Sequence, residues 1–228
     1  MNNIAVVLAG GTGSRIGGAV PKQFLPLEGR EVIEYSVDAF NDHEAISEVA
    51  VVVHPEWRAH FLALAERRRW GKLKAVLDGG AERHLSTLSA LRHYESLTDA
   101  NLLLHDAARP WIGPGVITRV AAALESHEAV AVAVPATDTL FRVADGCVAA
   151  IPPRSEMYHA QTPQAFRLPL LATAFRKALA DPALAATDDC GVLLRYCPGV
   201  PIHIVAGSHE NTKITYPQDL ENPCKNPS

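Results

Sequence analysis

Short apolar runs recur along the chain, and amphipathic stretches lie between most of them. The apolar runs cover residues 4–9, 49–53, 74–77, 101–105, 129–134 and 202–205. Apolar residues at helical spacing mark residues 31–40, 57–69, 83–94, 115–126 and 169–179. Continuous apolar runs are typical of strands buried on both faces, and their alternation with helices is typical of parallel sheets. The pattern therefore predicts an α/β fold with a Rossmann-like, doubly wound and mostly parallel sheet.

Composition and charge limit the number of domains and the kinds of partner that such a protein can have. The 228 residues are 48% apolar and 20% charged, and no Ser/Gly-rich linker or block of like charge divides them, so residues 1–228 are predicted to form a single domain. A formal net charge of -4 argues against a broad basic surface for nucleic acids or anionic membranes, so any phosphate site must be local. No basic segment precedes the first apolar run and no CxxC pair is present, so a cytoplasmic protein is expected.

Residues 135–158 interrupt the alternation. Asp145-Gly146 lies in the middle of this segment, and short runs of alternating apolar residues lie on either side, which predicts a β-hairpin. A lone two-stranded ribbon is only marginally stable in water. The hairpin therefore either folds onto its own domain or forms an arm that a second subunit covers.

A glycine loop with flanking cations follows the first apolar run. The loop is Gly10-Gly11-Thr12-Gly13-Ser14-Arg15, and Pro21-Lys22-Gln23-Phe24 comes after it. Glycines let backbone N–H groups approach phosphate oxygens, and Arg15 and Lys22 supply charge neutralisation. The loop departs from the P-loop because no Lys-Ser/Thr follows, and from GxGxxG because Ile16 stands three positions after Gly13. A plain glycine turn explains the glycines but not the paired cations, so the loop predicts a phosphate site.

Polar groups follow two further strand runs, where ligands of such sheets bind. Gly79-Gly80 leads into a helix that carries Ser86, and His105-Asp106-Ala107-Ala108-Arg109 places a carboxylate and a guanidinium at the sheet edge. A carboxylate there suits a hard cation such as Mg²⁺. Taken singly, the first segment is a common turn and cap, and Asp106 with Arg109 is a common surface ion pair. The C-terminal third adds Arg154, Thr162, Asp188-Asp189 and Lys213, each of which alone is more often solvated surface.

Six motifs in chain order resemble the cytidylyltransferases that join CTP to a polyol phosphate. They are LAGGTGSR, PKQF, GGAER with Ser86, HDAARP, Arg154 before AQTPQAF, and NTKIT, and they span the chain to about Leu220. The family includes 2-C-methyl-D-erythritol 4-phosphate cytidylyltransferases and a sister branch that activates D-ribitol 5-phosphate. HDAARP and AQTPQ are similar to the first branch, whereas LAGGTGSR, PKQFLPL and IPPRSEMY are similar to the second. Glu156-Met157-Tyr158 replaces the Gly-Leu-Trp of many methylerythritol enzymes. Methylerythritol phosphate is the predicted acceptor and ribitol phosphate the alternative.

The resemblance implies a magnesium-dependent nucleotidyltransferase and assigns roles to individual positions. The catalytic residues that the resemblance implies are Arg15, Lys22, Arg154 and Lys213. Nucleotide binding falls to Ala9, Gly10, Gly11, Gly13, Lys22, Gly80, Ala81, Ser86, Asp106 and Ala107. Acceptor binding falls to Arg109, Thr139, Arg154, Thr162 and Lys213, and Asp106 is the metal ligand. The resemblance also implies a homodimer in which the arm of one subunit brings Thr139 and Arg154 to the other subunit's site.

Two other classes of function fit parts of the pattern. An NAD(P)-binding oxidoreductase would explain a glycine loop after the first strand, but it needs an acid near the end of the second strand, where His54-Pro55 stands. A catalytically inactive nucleotide-binding protein would not need to retain Arg15, Lys22 and Asp106 together. Release of pyrophosphate from CTP separates these alternatives from the transferase.

Overall fold

A computed structural model describes residues 1–11, 20–80, 82–184 and 188–221 of the chain. Gly13, Arg15 and Ala81, which the sequence assigns to the site, lie outside the described residues. The strands in chain order are β1 (Asn2–Ala9), β2 (Pro26–Leu27), β3 (Arg30–Glu31), β4 (Glu48–Val53), β5 (Leu73–Asp78), β6 (Ala100–Asp106), β7 (Ala129–Pro135), β8 (Arg142–Ala144), β9 (Cys147–Ala150), β10 (Tyr158–Arg167) and β11 (His203–Ala206).

The helices are α1 (Val32–Asn41), α2 (Arg58–Arg68), α3 (Arg83–His93), α4 (Pro114–Ala123), α5 (Leu168–Leu179), α6 (Asp189–Tyr196) and α7 (Gln218–Glu221). Short 3-10 turns cover Lys22–Phe24, Pro55–Trp57 and Arg154–Glu156. All six predicted strands and all five predicted helices are confirmed, with ends that differ by a few residues. No helix in the described ranges has the length and apolar character that a bilayer crossing requires.

The main sheet has seven strands in the order β11-β7-β10-β6-β1-β4-β5. β10 runs antiparallel to both of its neighbours, β6 and β7, and the other adjacent pairs are parallel. The chain winds from β1 to β4 and β5 in one direction and then returns to place β6 on the other side of β1. The carboxyl ends of β1 and β6 therefore flank a topological switch point, where open α/β sheets bind their ligands.

Two cores cover the two faces of this sheet. Along β1, Val7 packs into the core that contains α1, α2 and α4, whereas Val6 packs into the core that contains α3, α5 and α6. Successive side chains of a strand point to opposite faces, so a strand covered on both faces needs an unbroken apolar run. This confirms the doubly wound, mostly parallel architecture that the alternation predicts.

The sequence pattern does not reveal β10 or α6. β10 contains Gln161, Thr162 and Gln164 between apolar residues, so it has no continuous apolar run, although all three side chains are buried. Their polar groups bond to neighbouring segments instead of water, as described below. A pattern of hydrophobicity cannot detect a strand whose buried face is polar and satisfied by distant partners.

A hairpin forms where the sequence predicts one. β8 and β9 pair only with each other, and Asp145 and Gly146 have positive φ angles of 50° and 76°, as the turn residues of a tight hairpin require. The large apolar side chains along this arm are exposed, including Phe141 at 56% and Ile151 at 60%. The described residues of one chain thus leave the apolar surface of the arm open.

Candidate active site

Two glycine segments meet at the carboxyl ends of β1 and β5. A methyl group on Gly10 would lie 2.5 Å from Ser86 Oγ, and one on Gly79 would lie 2.9 Å from the Cα of Gly10. Ser86 itself is only 3% exposed. The backbones approach so closely that glycine is required at both positions. The structure thereby brings together Ala9, Gly10 and Ser86, which the resemblance assigns to the nucleotide.

Lys22 and Gln23 connect the start of the glycine loop to the rest of the site. Gln23 is 3% exposed, and its Nε2 donates to the carbonyl oxygens of Ala9 at 2.7 Å and Gly11 at 2.9 Å. Lys22 Nζ donates to the carbonyl oxygen of Ile214 at 2.8 Å. Lys22 therefore bridges the segment after the glycine loop and the segment that carries Lys213.

Asp106 is the anionic centre of the site. Its Oδ2 accepts a hydrogen bond from Lys213 Nζ at 2.7 Å, and its Oδ1 accepts one from Arg83 Nε at 3.3 Å. Burial alone would raise the pKa of Asp106, but the positive charges of Lys213 and Arg83 outweigh burial and hold this pKa well below its usual range. Asp106 is therefore ionised at any pH near neutrality.

Arg83 extends the charged cluster into the protein. Its Nη1 donates to Asp189 Oδ2, and Asp189 Oδ1 also accepts from Thr87 Oγ1 at 2.8 Å. Burial alone would lower the pKa of Arg83. The carboxylates of Asp189 and Asp106 outweigh burial and hold this pKa above its ordinary value. Asp189 is 1% exposed, and burial outweighs the charge of Arg83 and raises the pKa of this carboxyl, which orients the guanidinium toward Asp106 through its hydrogen bond.

Asn211 connects Arg109 and Thr162 at the same edge of the sheet. Arg109 Nη1 donates to the carbonyl oxygen of Asn211 at 2.8 Å, and Asn211 Nδ2 donates to the carbonyl oxygen of Thr162 at 2.8 Å. Thr162 Oγ1 in turn accepts the backbone N–H of Asp106 at 3.1 Å. The segment that carries Lys213 is thus bonded to the loop after β6 and to the middle of β10.

Ala107 has a supporting position. It is 1% exposed, its N–H donates to the carbonyl oxygen of Leu8 at 3.0 Å, and its carbonyl oxygen accepts from Ser36 Oγ at 3.2 Å. Both backbone groups are therefore used within the protein. Gly11, which is exposed, and Gly80, where a methyl group would lie 2.2 Å from the Cβ of Leu85, border the two glycine segments.

Thr139 and Arg154 lie apart from this cluster. Both are exposed, and Arg154 Nη1 donates to the carbonyl oxygen of Thr137 at 3.2 Å. They belong to the segments that lead into and out of the β8–β9 hairpin. Among the residues that the structure describes, no hydrogen bond or ion pair joins either of them to Asp106 or Lys213.

The converged side chains suit a polyanionic ligand. Four cationic groups, from Lys22, Arg83, Arg109 and Lys213, lie at one edge of the sheet, where Arg83 and Lys213 contact the carboxylate of Asp106 and Arg83 also contacts that of Asp189. Backbone N–H groups of glycine segments can add further donors for phosphate oxygens. The arrangement can bind phosphate groups and stabilise negative charge that develops between them.

Sequence reasoning missed three groups that hold this site together. Gln23, Arg83 and Asn211 each lie inside a quoted motif, but none of them is at a position that periodicity or charge singles out. Gln23 and Asn211 are buried amides that satisfy backbone groups of other segments, and Arg83 pairs with Asp189 at a sequence separation of 106 residues. A polar residue within an otherwise small or apolar motif is the signal that could have identified them.

Known proteins share both the sequence and the fold. The sequence profile of the family described as 2-C-methyl-D-erythritol 4-phosphate cytidylyltransferase matches residues 3–223. A protein of that name from Thermobifida fusca (strain YX) is 43% identical over 222 residues, which cover 95% of this chain and 89% of that protein. A bifunctional ribulose 5-phosphate reductase/CDP-ribitol pyrophosphorylase from Haemophilus influenzae is 35% identical over 221 residues, which cover 96% of this chain and 46% of that protein.

Among solved structures, 4-diphosphocytidyl-2C-methyl-D-erythritol synthase from Anaerococcus prevotii DSM 20548 superposes with a TM-score of 0.85 at 27% identity, covering 96% of this chain and 95% of that one. The 2-C-methyl-D-erythritol 4-phosphate cytidylyltransferase from Francisella tularensis superposes with a TM-score of 0.80 at 27% identity, covering 97% of each chain. The similarity thus extends over the whole sheet and over every segment that contributes to the site.

Proposed function

The chain belongs to the 2-C-methyl-D-erythritol 4-phosphate cytidylyltransferase family, and from this premise we propose that it transfers CMP from CTP to 2-C-methyl-D-erythritol 4-phosphate and releases pyrophosphate. The observation that carries the proposal is the convergence of Lys22, Arg109, Lys213 and Asp106 at the switch point of the sheet. A reaction between two phosphate groups needs this kind of site, because mutual repulsion of the anions is the main barrier to their approach.

The proposed chemistry is a single displacement at phosphorus. A phosphate oxygen of the acceptor forms a bond to the α-phosphorus of CTP, and the bond from that phosphorus to the β-phosphate oxygen breaks, so pyrophosphate leaves with the electron pair. Lys22 and Arg15 are proposed to stabilise the charge that develops on the triphosphate, and Lys213 and Arg154 to align the acceptor phosphate. Catalysis on this scheme is positioning and electrostatic stabilisation, without a covalent intermediate.

The glycine segments are proposed to bind the cytidine. Gly10 and Ser86 lie at the junction of the two segments, and the buried Ser86 hydroxyl offers a donor and an acceptor beside the backbone of Gly10 and Gly79. A base edge is discriminated only where such groups are held rigidly, since an unmatched buried group then costs binding energy. This supports CTP as the nucleotide.

The residues at the site fit a magnesium ion that arrives with the nucleotide. Within the described ranges, no group of three or more His, Cys, Asp or Glu residues is arranged to hold a metal, but Asp106 offers one ionised carboxylate at the phosphate site. Mg²⁺ commonly uses one or two carboxylates together with substrate phosphate oxygens and water. When bound, Mg²⁺ would neutralise triphosphate charge and polarise the phosphoryl oxygens. We propose Asp106 as its protein ligand.

The acceptor is proposed to be methylerythritol phosphate. Relatives that carry this name are 43% and 40% identical to the chain, whereas the relative with a CDP-ribitol pyrophosphorylase name is 35% identical. The ribitol alternative is therefore not favoured, despite the IPPRSEMY segment. The oxidoreductase alternative is not favoured either, because β4 ends at Val53 and His54 follows where a ribose-binding acid would be needed.

The experiment that tests the function measures pyrophosphate release from CTP with each of the two acceptors. Methylerythritol phosphate is expected to give the higher kcat/KM. A higher value with ribitol phosphate would reverse the acceptor assignment, and absence of release with both acceptors would refute the transferase.

The arm is proposed to complete the site of a second subunit in a homodimer. Its exposed apolar side chains include Phe141, Val143, Val148 and Ile151, each at least 55% exposed in the single chain. A two-stranded ribbon with this much open apolar surface needs a covering surface to be stable. Arg154 and Thr139, at the base of the arm, have no described bond to the cluster of their own chain. Exchange of arms across a two-fold axis would account for both observations.

Mixed dimers test this arrangement. We expect that Lys22→Ala chains and Arg154→Ala chains, each inactive alone, recover activity when unfolded together and refolded. In a mixed dimer, one site receives Lys22 and Arg154 from the two chains and is intact, so random pairing restores about a quarter of wild-type activity. Pyrophosphate release before and after mixing measures the effect, and mixtures that stay inactive despite a dimeric mass would show that each site uses its own chain's Arg154.

A cytoplasmic location is also proposed. Cys147, Cys190 and Cys197 are free thiols in the described part of the chain, which suits a reducing compartment. Fractionation of cells that express the protein would locate it directly.

A further inference from the structure

His105 is a fully buried imidazole directly behind the candidate active site. It is the penultimate residue of β6 and has 0% of its surface exposed. Its Nε2 lies 3.0 Å from the carbonyl oxygen of Arg109, and its Nδ1 lies 3.0 Å from Thr162 Oγ1. Phe40 packs against the ring with centroids 5.1 Å apart. Each ring nitrogen therefore has a protein partner in place of water.

The partners fix the tautomer of the ring. A carbonyl oxygen only accepts hydrogen bonds, so Nε2 must carry a hydrogen toward Arg109. An imidazole with its single hydrogen on Nε2 accepts at Nδ1, which lies 3.0 Å from Thr162 Oγ1. The hydroxyl hydrogen of Thr162 then points to Nδ1, and Thr162 Oγ1 accepts the backbone N–H of Asp106 at 3.1 Å. One tautomer satisfies every group.

These bonds close a circuit of four residues. His105 donates to the carbonyl oxygen of Arg109, Arg109 Nη1 donates to the carbonyl oxygen of Asn211 at 2.8 Å, Asn211 Nδ2 donates to the carbonyl oxygen of Thr162 at 2.8 Å, and Thr162 donates back to His105. The members come from β6, the loop after β6, the segment before Lys213, and β10. None of these segments can shift without breaking a buried hydrogen bond, which costs more than an exposed one.

We propose that His105 is a positioning residue for the acceptor half of the site, and that the hydrogen bonds of its two ring nitrogens hold Arg109, Thr162 and the Lys213 segment in their relative positions. This inference rests on the proposed function, which gives those groups to the acceptor phosphate. His105 is enclosed by protein and acts only through its partners. The circuit includes Arg109 and Thr162, which are proposed for the acceptor, and meets the nucleotide side through the backbone N–H of Asp106, so loss of His105 should affect the acceptor more than CTP.

Two substitutions each keep half of the imidazole's bonding. His105→Asn places an amide near the position of Nδ1 and can accept from Thr162, but it falls short of Arg109. His105→Gln can reach the carbonyl oxygen of Arg109 but leaves the Thr162 hydroxyl without its acceptor. We expect each variant to raise KM for methylerythritol phosphate about tenfold, as for one lost buried hydrogen bond, and to leave KM for CTP within about twofold. NMR of ¹⁵N-histidine in the wild-type protein should show the Nε2–H tautomer for His105.

His43 provides a matched control. It is 8% exposed, its Nδ1 accepts the backbone N–H of Ala45 at 3.2 Å, and its Nε2 lies 3.1 Å from the carbonyl oxygen of Pro114. This is the same tautomer in a histidine outside the circuit. His43→Gln should lower thermal stability to a similar degree without changing either KM.

The outcomes separate this inference from the proposed function. Unchanged acceptor KM in both His105 variants, or equal rises in KM for both substrates, would overturn the positioning role while the transferase stands. An Nδ1–H signal in the wild-type spectrum would overturn it even if a variant failed to fold. A wild-type protein that releases no pyrophosphate with either acceptor overturns the proposed function, and this role with it.

Discussion

Lys22→Ala is expected to lower turnover about a hundredfold or more, as for the loss of one preorganised charge-stabilising donor, and to leave the fold intact. Lys22 lies in a short turn that its two neighbours hold in addition to the bond from Lys22 to Ile214. Gln23 bonds this turn to the glycine loop, and Phe24 stacks on Trp57 with centroids 4.9 Å apart. The ammonium group is therefore delivered by a rigid support, and its removal should change the reaction more than the structure.

Lys72→Ala is the matched control for this variant. Lys72 Nζ also donates to a backbone carbonyl oxygen, that of His43, at 2.6 Å, but it lies away from the site. Pyrophosphate release at saturating CTP and acceptor, together with urea unfolding of both variants, makes the comparison. If Lys22→Ala kept wild-type turnover, or if both variants lost activity equally, Lys22 would have no specific part in the reaction.

The sequence predicts most strands of the main sheet because each of them is a continuous run of apolar residues. Strands such as β1 and β4 are covered on both faces, so burial demands a continuous apolar run that is visible in the sequence. β10 escapes prediction because Gln161, Thr162 and Gln164 are buried yet polar, and only the tertiary structure shows the partners that satisfy them. Where burial depends on long-range hydrogen bonds, composition no longer reveals the element.

The contrast between local patterns and long-range hydrogen bonds also explains which site residues could be predicted. Asp106 and Lys213 are found through strand ends and through the resemblance, and the structure brings them within 2.7 Å of each other. Arg83 and Asn211 are not found, because the partners that fix their positions, Asp189 and Thr162, lie far away in the sequence. Motif reasoning identifies the groups that face a ligand, whereas the network behind them follows from three-dimensional contacts.

The net charge of -4 is compatible with phosphate binding because the cations are concentrated in one place. A protein without a broad basic surface can bind a triphosphate only by concentrating cations in one place. Here Lys22, Arg83, Arg109 and Lys213 do so at the switch point, where Asp106 accepts hydrogen bonds from Lys213 and Arg83, and Asp189 accepts one from Arg83. The carboxylates thus make a compact cationic site compatible with a folded, mildly acidic protein.

Asp106→Asn is expected to lower turnover about a hundredfold or more, because the variant loses both the proposed magnesium ligand and the anion that orients Lys213 and Arg83. The magnesium concentration that gives half-maximal rate should rise as well, since a neutral amide is a weaker ligand for Mg²⁺. Titration of pyrophosphate release with MgCl₂ measures both effects. Asp181→Asn is the control, because it removes one carboxylate from an exposed ion pair with Arg195. A variant at position 106 with wild-type turnover and magnesium dependence would contradict the assignment.

The pH dependence of the free energy of unfolding should show the ionised state of Asp106 without any measurement of activity. The folded-state pKa of Asp106 lies below its ordinary value of 3.8, so the ionised group stabilises the fold above that pH, and the contribution is lost as the pH falls through the folded-state pKa. Near pH 7, Asp106→Asn is therefore expected to lower the free energy of unfolding by about 2 kcal/mol, as for loss of a buried charge-assisted hydrogen bond. Urea unfolding between pH 7 and pH 3 should show this difference constant above about pH 5 and shrinking below about pH 4, because the unfolded wild type takes up a proton at Asp106 there while the folded protein does not. A difference that stayed constant to pH 3 would mean that the carboxylate is not held ionised by Lys213 and Arg83.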